Sequence, residues 1–331
     1  MEKTKIIIDT DLGSSTDDVA TICMAYSYMR QGRAELLGIV VDRMGEQNAV
    51  FADILNTYFG FPDIPIGLCR NGVENPQIFT DYAHIAEKKS SDGTPLFART
   101  QTMFEDDYKV YRKILASQPD NSVTVLSIGF LTSLANLLTS SPDEYSQLDG
   151  VSLVAQKIKR IIVMGGKFDE NDKNGEYNIQ QSGRFAETFF RLLPSSIPVD
   201  YSSEAVGNAL YWTKTEILQT MAHIDVHPLK QIYLDCPEDP YQRMWDPLTI
   251  IQAVEGDEYF SWSPQGNVSL QNDYTLTFTP DESGNVRYQK CGSAEQIQKW
   301  MALIKKCVML NSFLTSFSQF CCCSFCFVFA A

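Results

Sequence analysis

The sequence predicts an α/β fold: an open, mostly parallel, doubly wound sheet of the Rossmann-like kind, with a small antiparallel β appendage near the C-terminus. Between residues 6 and 253, short apolar runs alternate with segments of helical period. The runs are continuous, which is typical of strands that helices cover on both faces. From residue 255 to 292, apolar and polar residues alternate between turn residues, which favours antiparallel strands. This order of elements predicts a parallel sheet followed by the appendage.

The composition fits one globular domain, which we place at residues 1–307. Hydrophobic residues make up 44% of the chain and charged residues 21%, ordinary values for an enzyme with a substantial core. The net charge of −14 argues against a nucleic-acid partner, because phosphate contacts need clustered Lys and Arg. The chain enters its first strand without a signal-peptide pattern, and its scattered cysteines lack metal-ligand spacing. We therefore expect a cytoplasmic protein with no nucleic-acid surface.

The first strand and the turn after it carry the strongest chemical signal. Residues 6–8 are β-branched and predict a buried strand, and residues 19–26 predict a buried helix. The turn between them therefore lies at the carboxyl end of a strand, where open α/β sheets place their ligand sites. The acids of this segment are Asp9, Asp11, Asp17 and Asp18.

Carboxylates that converge in this way repel one another unless a cation or shared protons hold them. A hard divalent ion is the simplest solution, and Ca²⁺ suits carboxylates and carbonyls on an irregular loop. The alternative is that Thr16, Asp17 and Asp18 cap the next helix. Capping accounts for one or two of these acids but not for Asp9 and Asp11 as well. We therefore predict a metal site.

The rest of the sheet follows in order along the chain. Residues 35–42 predict the second buried strand, and residues 48–61 predict an amphipathic helix that ends at a glycine. Further on, Pro247 favours the start of a helix. The other predicted elements are strands at 62–68, 121–129, 158–164 and 197–201, and helices at 108–115, 131–138, 213–221 and 293–306.

The motifs at the strand ends resemble, in order, those of the inosine-uridine nucleoside hydrolases. Asp9-Thr10-Asp11-Leu12-Gly13 and Asp17-Asp18-Val19-Ala20 are similar to the family's Asp-Thr-Asp-Pro-Gly-x-Asp-Asp-Ala. Leu12 replaces the proline and the loop has two extra residues, as in a divergent branch of the family. The later motifs that are similar are Gly129-Phe130-Leu131-Thr132-Ser133, Met164-Gly165-Gly166, Glu176-Tyr177-Asn178 and Asp246-Pro247.

The resemblance implies an activity. It implies hydrolysis of the N-glycosidic bond of ribonucleosides to free base and ribose, by a Ca²⁺-activated water and through an oxocarbenium-like sugar. The partner would be a small-molecule nucleoside, and the biological role would be purine and pyrimidine salvage. The resemblance leaves a homo-oligomer open.

Family positions assign a role to each site residue. Asp11 would be the general base, and Asp9 would support the loop as a hydrogen-bond acceptor. Glu176 and Asn178 are two residues apart, so on an extended segment they point the same way and share one ligand face. The alternative for this pair is a solvated loop acid and a turn Asn. The full set is Asp11, Asp18, Asp246 and the carbonyl of Ile128 for Ca²⁺, and Asp17, Glu176 and Asn178 for ribose hydroxyls.

The chain departs from the family where the leaving base is protonated. Well-studied members have a His immediately before the Asp-Pro, whereas this chain has Trp245, which cannot act as an acid but can stack on a base. His84, His223 and His227 lie in no family motif, and each fits a surface or structural role better than catalysis. The Asn that follows the second strand in standard members also has no clear counterpart.

Two other functions stay open. A haloacid-dehalogenase-like phosphohydrolase begins with a strand and Asp-x-Asp, which Asp9-Thr10-Asp11 matches, with Asp9 as nucleophile and Mg²⁺ as metal. That class also needs a later Lys and an acidic pair, which are not convincingly placed. The other candidate is an inert nucleoside- or ribose-binding protein that keeps the metal site, and Trp245 is its best support.

The last segment, residues 308–331, contains no charged residue and is rich in Phe, Cys and Ser. It is long enough for a membrane span, but Ser, Thr, Asn and Gln dilute its apolar character. We predict that it lies outside the fold, as a reading-frame artefact or an unstructured appendage rather than an anchor.

Overall fold

A single central sheet organises the protein. The computed structural model describes residues 2–73, 76, 82–168, 174–235 and 243–320, with side chains up to residue 309. The strands are β1 (Thr4–Thr10), β2 (Ala34–Val41), β3 (Ile66–Leu68), β4 (Glu105–Asp106), β5 (Val123–Ser127), β6 (Ile158–Met164), β7 (Val199–Ser202), β8 (Ser261–Trp262), β9 (Gly266–Leu270), β10 (Leu276–Pro280) and β11 (Val286–Lys290).

Helices cover both faces of this sheet. Short 3₁₀ turns lie at Ala83–Glu87 and Asp257–Tyr259. The α-helices are α1 (Thr16–Arg30), α2 (Glu46–Tyr58), α3 (Asp107–Ser117), α4 (Thr132–Leu138), α5 (Gly150–Lys157), α6 (Tyr177–Ser182), α7 (Arg184–Leu192), α8 (Glu204–Gly207), α9 (Lys214–Thr220), α10 (Pro228–Asp235), α11 (Pro247–Glu255) and α12 (Ala294–Phe320).

The sheet is mostly parallel, which confirms the predicted fold class. Its spatial order is β10-β9-β11-β7-β6-β5-β1-β2-β3-β4, with β8 paired to β11. The neighbouring pairs from β11 through β7 to β4 are all parallel. Because β1 lies between β5 and β2, the acidic turn that follows β1 lies where the carboxyl ends of three strands meet.

The apolar run of β1 supplies two hydrophobic cores, one on each face of the sheet. Ile6 and Ile8 belong to the core that packs under α1, α11 and α12, and Ile7 belongs to the core under α3, α4 and α5. All three side chains are fully buried. Successive side chains of a strand point to opposite faces, so a strand with helices on both sides must be apolar at every position.

The C-terminal strands form the predicted antiparallel appendage, and they also extend the main sheet. β9 pairs antiparallel with β10 and β11, whereas β11 pairs parallel with β7. Arg287 on β11 fastens this edge, because its Nε and Nη2 donate to the Asp200 carboxylate at 2.7 and 3.1 Å. Its guanidinium also lies 3.9 Å from the centre of the Trp262 ring. The appendage is therefore continuous with the parallel sheet that the sequence predicted.

Helix α12 continues past the predicted end of the domain. Trp300, Ile304, Cys307 and Val308 are buried and lie on one helical face, which packs against α1. The predicted boundary after residue 307 needs correction, because it cuts this helix and Val308 belongs to the core. The prediction for residues 321–331 lies outside the described residues. Within the described ranges, no helix has both the length and the hydropathy needed to cross a bilayer.

Candidate active site

The acids after β1 form hydrogen bonds that differ from those of helix caps. Asp9, Asp11, Asp17 and Asp18 are all buried, and the residue that precedes α1, Ser15, makes no side-chain cap. The Asp17 carboxylate instead accepts hydrogen bonds from the backbone N–H groups of the two residues that lead into α11, at 3.0 and 3.2 Å. The first helix turn is thus tied to a distant turn, which capping does not explain.

Three carboxylates from these two turns lie together. Oxygens of Asp17, Asp18 and Asp246 lie within 4.8 Å of one another. Asp246 directly precedes α11 and makes no cap hydrogen bond with it. Among the described residues, Oδ2 of Asp18 has no hydrogen-bond partner. This trio therefore contains Asp17, which the sequence analysis had assigned to the binding of ribose hydroxyls. Asp11, one of the predicted metal ligands, lies beside the trio.

Burial and mutual repulsion raise the pKa values of these carboxyls and so favour their protonated forms when no cation is present. Burial raises the pKa of Asp18 and of Asp246 well above the usual range, and the neighbouring carboxylates raise both further. Burial also raises the pKa of Asp11 to about 7, which the charge of Arg43 partly opposes. A buried donor set made only of oxygens, with an unpartnered carboxylate oxygen among them, fits a hard divalent cation such as Ca²⁺.

Asp9 faces away from this trio, into the base of the loop. Its Oδ2 accepts a hydrogen bond from the Tyr111 hydroxyl at 2.7 Å. Its carboxyl also lies beside that of Asp42, and burial together with this contact raises the pKa of Asp42 well above the usual range. A Cβ on Gly129 would lie 2.5 Å from Oδ2 of Asp42, so only glycine fits there. Asp9 thus contacts Tyr111 and Asp42 beneath the loop, and Asp42 is a neighbour that the sequence did not indicate.

A cavity of about 240 Å³ opens beside the acidic trio. Ile128, which follows β5, lines this cavity next to the predicted metal ligands. The predicted site residues that line the cavity come from four separate parts of the chain. The predicted residues that line it are Asp11, Asp17, Ile128, Glu176, Asn178, Trp245 and Asp246.

The prediction of an extended segment for Glu176 and Asn178 is wrong. Glu176 is the N-cap of α6, and its carboxylate accepts hydrogen bonds from the N–H groups of Asn178 and Ile179 at 2.8 and 3.0 Å. The triplet is too short to define a period, and capping the helix satisfies otherwise unpaired N–H groups. Both side chains still line the cavity, and burial raises the pKa of Glu176 to about 7.

Trp245 forms a fixed wall of the cavity. Its indole N–H donates to Oδ1 of Asn208 at 3.1 Å, and its ring lies directly against Gly207. None of the three histidines lines the cavity within the described chain. His84 and His223 are exposed, and His227 is buried against the rings of Tyr58 and Phe59.

The cavity is also lined by residues that the sequence did not indicate. Lys167 lines it and pairs with Glu204 at 3.2 Å. Lys167 comes directly after the Gly165-Gly166 pair, so its place one residue beyond a strand-end motif was the available signal. Further lining residues without a predicted role include Ser14, Tyr177, Gln180 and Gln181.

Together the fold and the site define a doubly wound α/β protein with an oxygen-lined acidic site and a small-molecule cavity at the carboxyl ends of its strands. The chain belongs to the inosine-uridine preferring nucleoside hydrolase family, whose model matches residues 6–297. This confirms the resemblance that the strand-end motifs indicated.

Solved structures of similar fold include two nucleoside hydrolases and one effector protein. The inosine-uridine preferring nucleoside hydrolase from Bacillus anthracis is 18% identical, with a TM-score of 0.68 over 92% of this chain and 99% of that one. The plant nucleoside hydrolase PpNRh1 is 17% identical, with a TM-score of 0.67 over 92% and 98%. The type III effector XopQ, in complex with adenosine diphosphate ribose, is 16% identical, with a TM-score of 0.65 over 94% of each chain. No curated protein matches the sequence.

Proposed function

We propose that the protein hydrolyses the N-glycosidic bond of ribonucleosides, releasing the free base and ribose, with Ca²⁺ in the acidic trio. The observation that supports this proposal most is convergence: residues that match family motifs between positions 11 and 246 line one cavity. The proposal includes a cytoplasmic location and a role in nucleoside salvage, which rest on the sequence expectations.

Oxygens of Asp17, Asp18 and Asp246 lie within 4.8 Å of one another, and Asp11 with the Ile128 carbonyl completes the proposed ligand set. When bound, Ca²⁺ would lower the pKa of a water molecule and hold the ribose diol. Glu176 and Asn178 are proposed to bind ribose hydroxyls, since both lie on the wall of the same cavity.

Asp11 is the proposed general base. It accepts a proton from water as the water oxygen bonds to the anomeric carbon, and the base departs with the electrons of the broken C–N bond. Trp245 is proposed to stack on the leaving base, because its indole is fixed by Asn208.

A second candidate is an inert protein that binds a nucleoside or a related ribose compound without cleaving it. Two observations favour it: Trp245 occupies the position of the family's histidine, and no described histidine lines the cavity. The structural similarity to XopQ with bound adenosine diphosphate ribose fits such a role. The phosphohydrolase alternative is not supported, because its nucleophile Asp9 is buried against Tyr111 and does not line the cavity.

The test is release of reducing sugar from a panel of purine and pyrimidine nucleosides, with Ca²⁺ and with chelator. We expect release that needs the metal and that falls at least about a hundredfold in Asp11→Asn, which loses both a charge and the base. Asp225→Asn, on the surface, is the matched control and should behave as wild type. Near-normal release in Asp11→Asn would refute the assignment of the base.

A riboside with a good leaving group, such as p-nitrophenyl riboside, separates the two candidates. An enzyme that only lacks a proton donor for the base should cleave this compound. Calorimetric binding of a nucleoside, with no cleavage of either substrate, would instead favour the inert binding protein.

A further inference from the structure

The acidic site has a cation of its own in the chain, Arg43. This residue follows Asp42 at the end of β2 and is 7% exposed. Among the described residues, its Nη1 has no hydrogen-bond partner. The other buried arginine, Arg112, shows the usual arrangement, because it forms an ion pair with Asp143 at 2.6 Å and also donates to backbone carbonyls. A buried guanidinium nitrogen without a hydrogen-bond partner lowers the stability of the folded protein. A function for Arg43 would explain why it occupies this position.

Arg43 packs against the acidic loop itself. Gly13 lies in that loop with φ +121°, and a Cβ built on it would lie 3.4 Å from Nη1 of Arg43 and 3.1 Å from Cγ of Asn48. A side chain at position 13 would therefore collide with Asn48 and would touch Arg43. The glycine lets the turn between β2 and α2 close directly onto the turn between β1 and α1. The guanidinium is thereby held between this loop and the end of β2.

The charge of Arg43 reaches the carboxylates of the site. Its Nη1 lies against Gly13, two residues from Asp11, in the loop that carries the acids. Burial is the largest influence on the pKa of Asp11 and of Asp18 and raises both, and the charge of Arg43 opposes that rise. Arg43 does not line the cavity, and its Nη1 is buried. A role in contacting substrate is therefore less well supported than a role that acts on the neighbouring acids through charge.

We propose that Arg43 is a built-in counter-cation of the acidic site, which stabilises the ion-free loop and weakens binding of the divalent cation. This inference rests on the metal site of the proposed function and adds a residue that sets its affinity. In the ion-free protein the guanidinium offsets repulsion among the carboxylates. In the ion-bound protein the same fixed charge repels the ion, and burial keeps solvent from screening either effect.

The two effects have opposite signs, which separates this role from a structural one. Removal of the charge should lower the stability of the ion-free protein and should increase the affinity for Ca²⁺. If Arg43 only supported the loop, its replacement would instead lower both the stability and the affinity for Ca²⁺. Arg43→Met keeps much of the side chain's length without its charge, and Arg43→Lys keeps the charge. Arg70→Met removes the same charge from a surface ion pair with Asp106 and is the matched control.

The experiment is calorimetric titration of the full chain with Ca²⁺, together with thermal unfolding in chelator. We expect Arg43→Met to bind Ca²⁺ about tenfold more tightly and to melt at a lower temperature in chelator. Arg43→Lys and Arg70→Met should both stay close to wild type. Unchanged or weaker Ca²⁺ binding in Arg43→Met would overturn the proposal, and Arg43→Gln gives the same test if the Met variant does not fold. Nucleoside cleavage enters neither readout, so failure of the proposed activity is recognised separately.

Discussion

Replacement of Asp246 by Asn tests whether the acidic trio holds a cation. Its carboxylate oxygens lie within 4.8 Å of those of Asp17 and Asp18. Two unit charges at that distance repel by about 3 kcal/mol at an effective dielectric constant of about 20. Asn keeps the shape of the side chain but removes two of the three repelling pairs.

Protonation already relieves part of this repulsion in the ion-free wild type, because burial and the neighbouring carboxylates raise the pKa of Asp246. A group whose pKa is raised on folding stabilises the protein at low pH, and this stability is lost as pH rises. The relief from Asp246→Asn should therefore be largest at alkaline pH. We expect the variant to be about 1–3 kcal/mol more stable than wild type in chelator at about pH 8.

Added Ca²⁺ should reverse this order. Loss of one charged ligand should weaken Ca²⁺ binding at least about a hundredfold. This loss removes about 3 kcal/mol of the stability that the bound ion provides. Urea unfolding followed by fluorescence, in chelator and in excess Ca²⁺, measures both stabilities. Asp225→Asn is the control for a surface charge. A wild-type response of Asp246→Asn to Ca²⁺, or a lower stability than wild type in chelator, would show that the trio does not share a cation.

Two further predictions concern stability. In the unfolded chain His227 takes up a proton near pH 6.5, whereas burial lowers its pKa in the folded protein to about 3. The free energy of unfolding should therefore fall by about 1.4 kcal/mol for each unit by which the pH drops between these two values. His227→Gln, which keeps an acceptor for the Leu229 amide, should flatten the urea-unfolding profile below about pH 6; an unchanged slope would contradict this cause. A chain that ends at Cys307 should unfold about 1.5–3 kcal/mol more easily than one that ends at Met309, because it loses the buried side chain of Val308. Equal urea midpoints for the two chains would show that Val308 contributes nothing.

The predictable part of the fold came from signals that are local in sequence. Residues 6–8 are apolar at every position, which required helices on both faces, and the structure places Ile7 in a different core from its neighbours. The position of the acids followed from the same reasoning, because carboxyl ends of parallel strands meet at one edge. The burial of Asp17 against the turn before α11 joins positions 228 residues apart, and pattern alone does not show which acids will be nearest.

The missed features depend on contacts between distant segments. Asp42 ends the predicted second strand and Arg43 follows it, and the sequence analysis assigned neither a role at the site, yet both side chains are buried there. They can be buried because Gly13 and Gly129 leave no side chain in the space that they occupy. The length of α12 was missed for a different reason: residues after Lys306 lack charges, so no polar face marked the helical period there.

The residues around the cavity differ in how closely they follow the family, and under the proposed function this difference bears on the ligand. Asp11, Asp17, Asp18 and Asp246 match family motifs, and two backbone N–H groups before α11 donate buried hydrogen bonds to Asp17. Trp245 departs from the family pattern and is hydrogen-bonded to Asn208, and the ion pair of Lys167 with Glu204 also lies on the cavity wall. If the acids bind a ribose diol as proposed, the choice and departure of the base depend on the second set of residues. We therefore expect the sugar to be the part of the ligand that is shared with the family, and the group attached to it to be the part that differs.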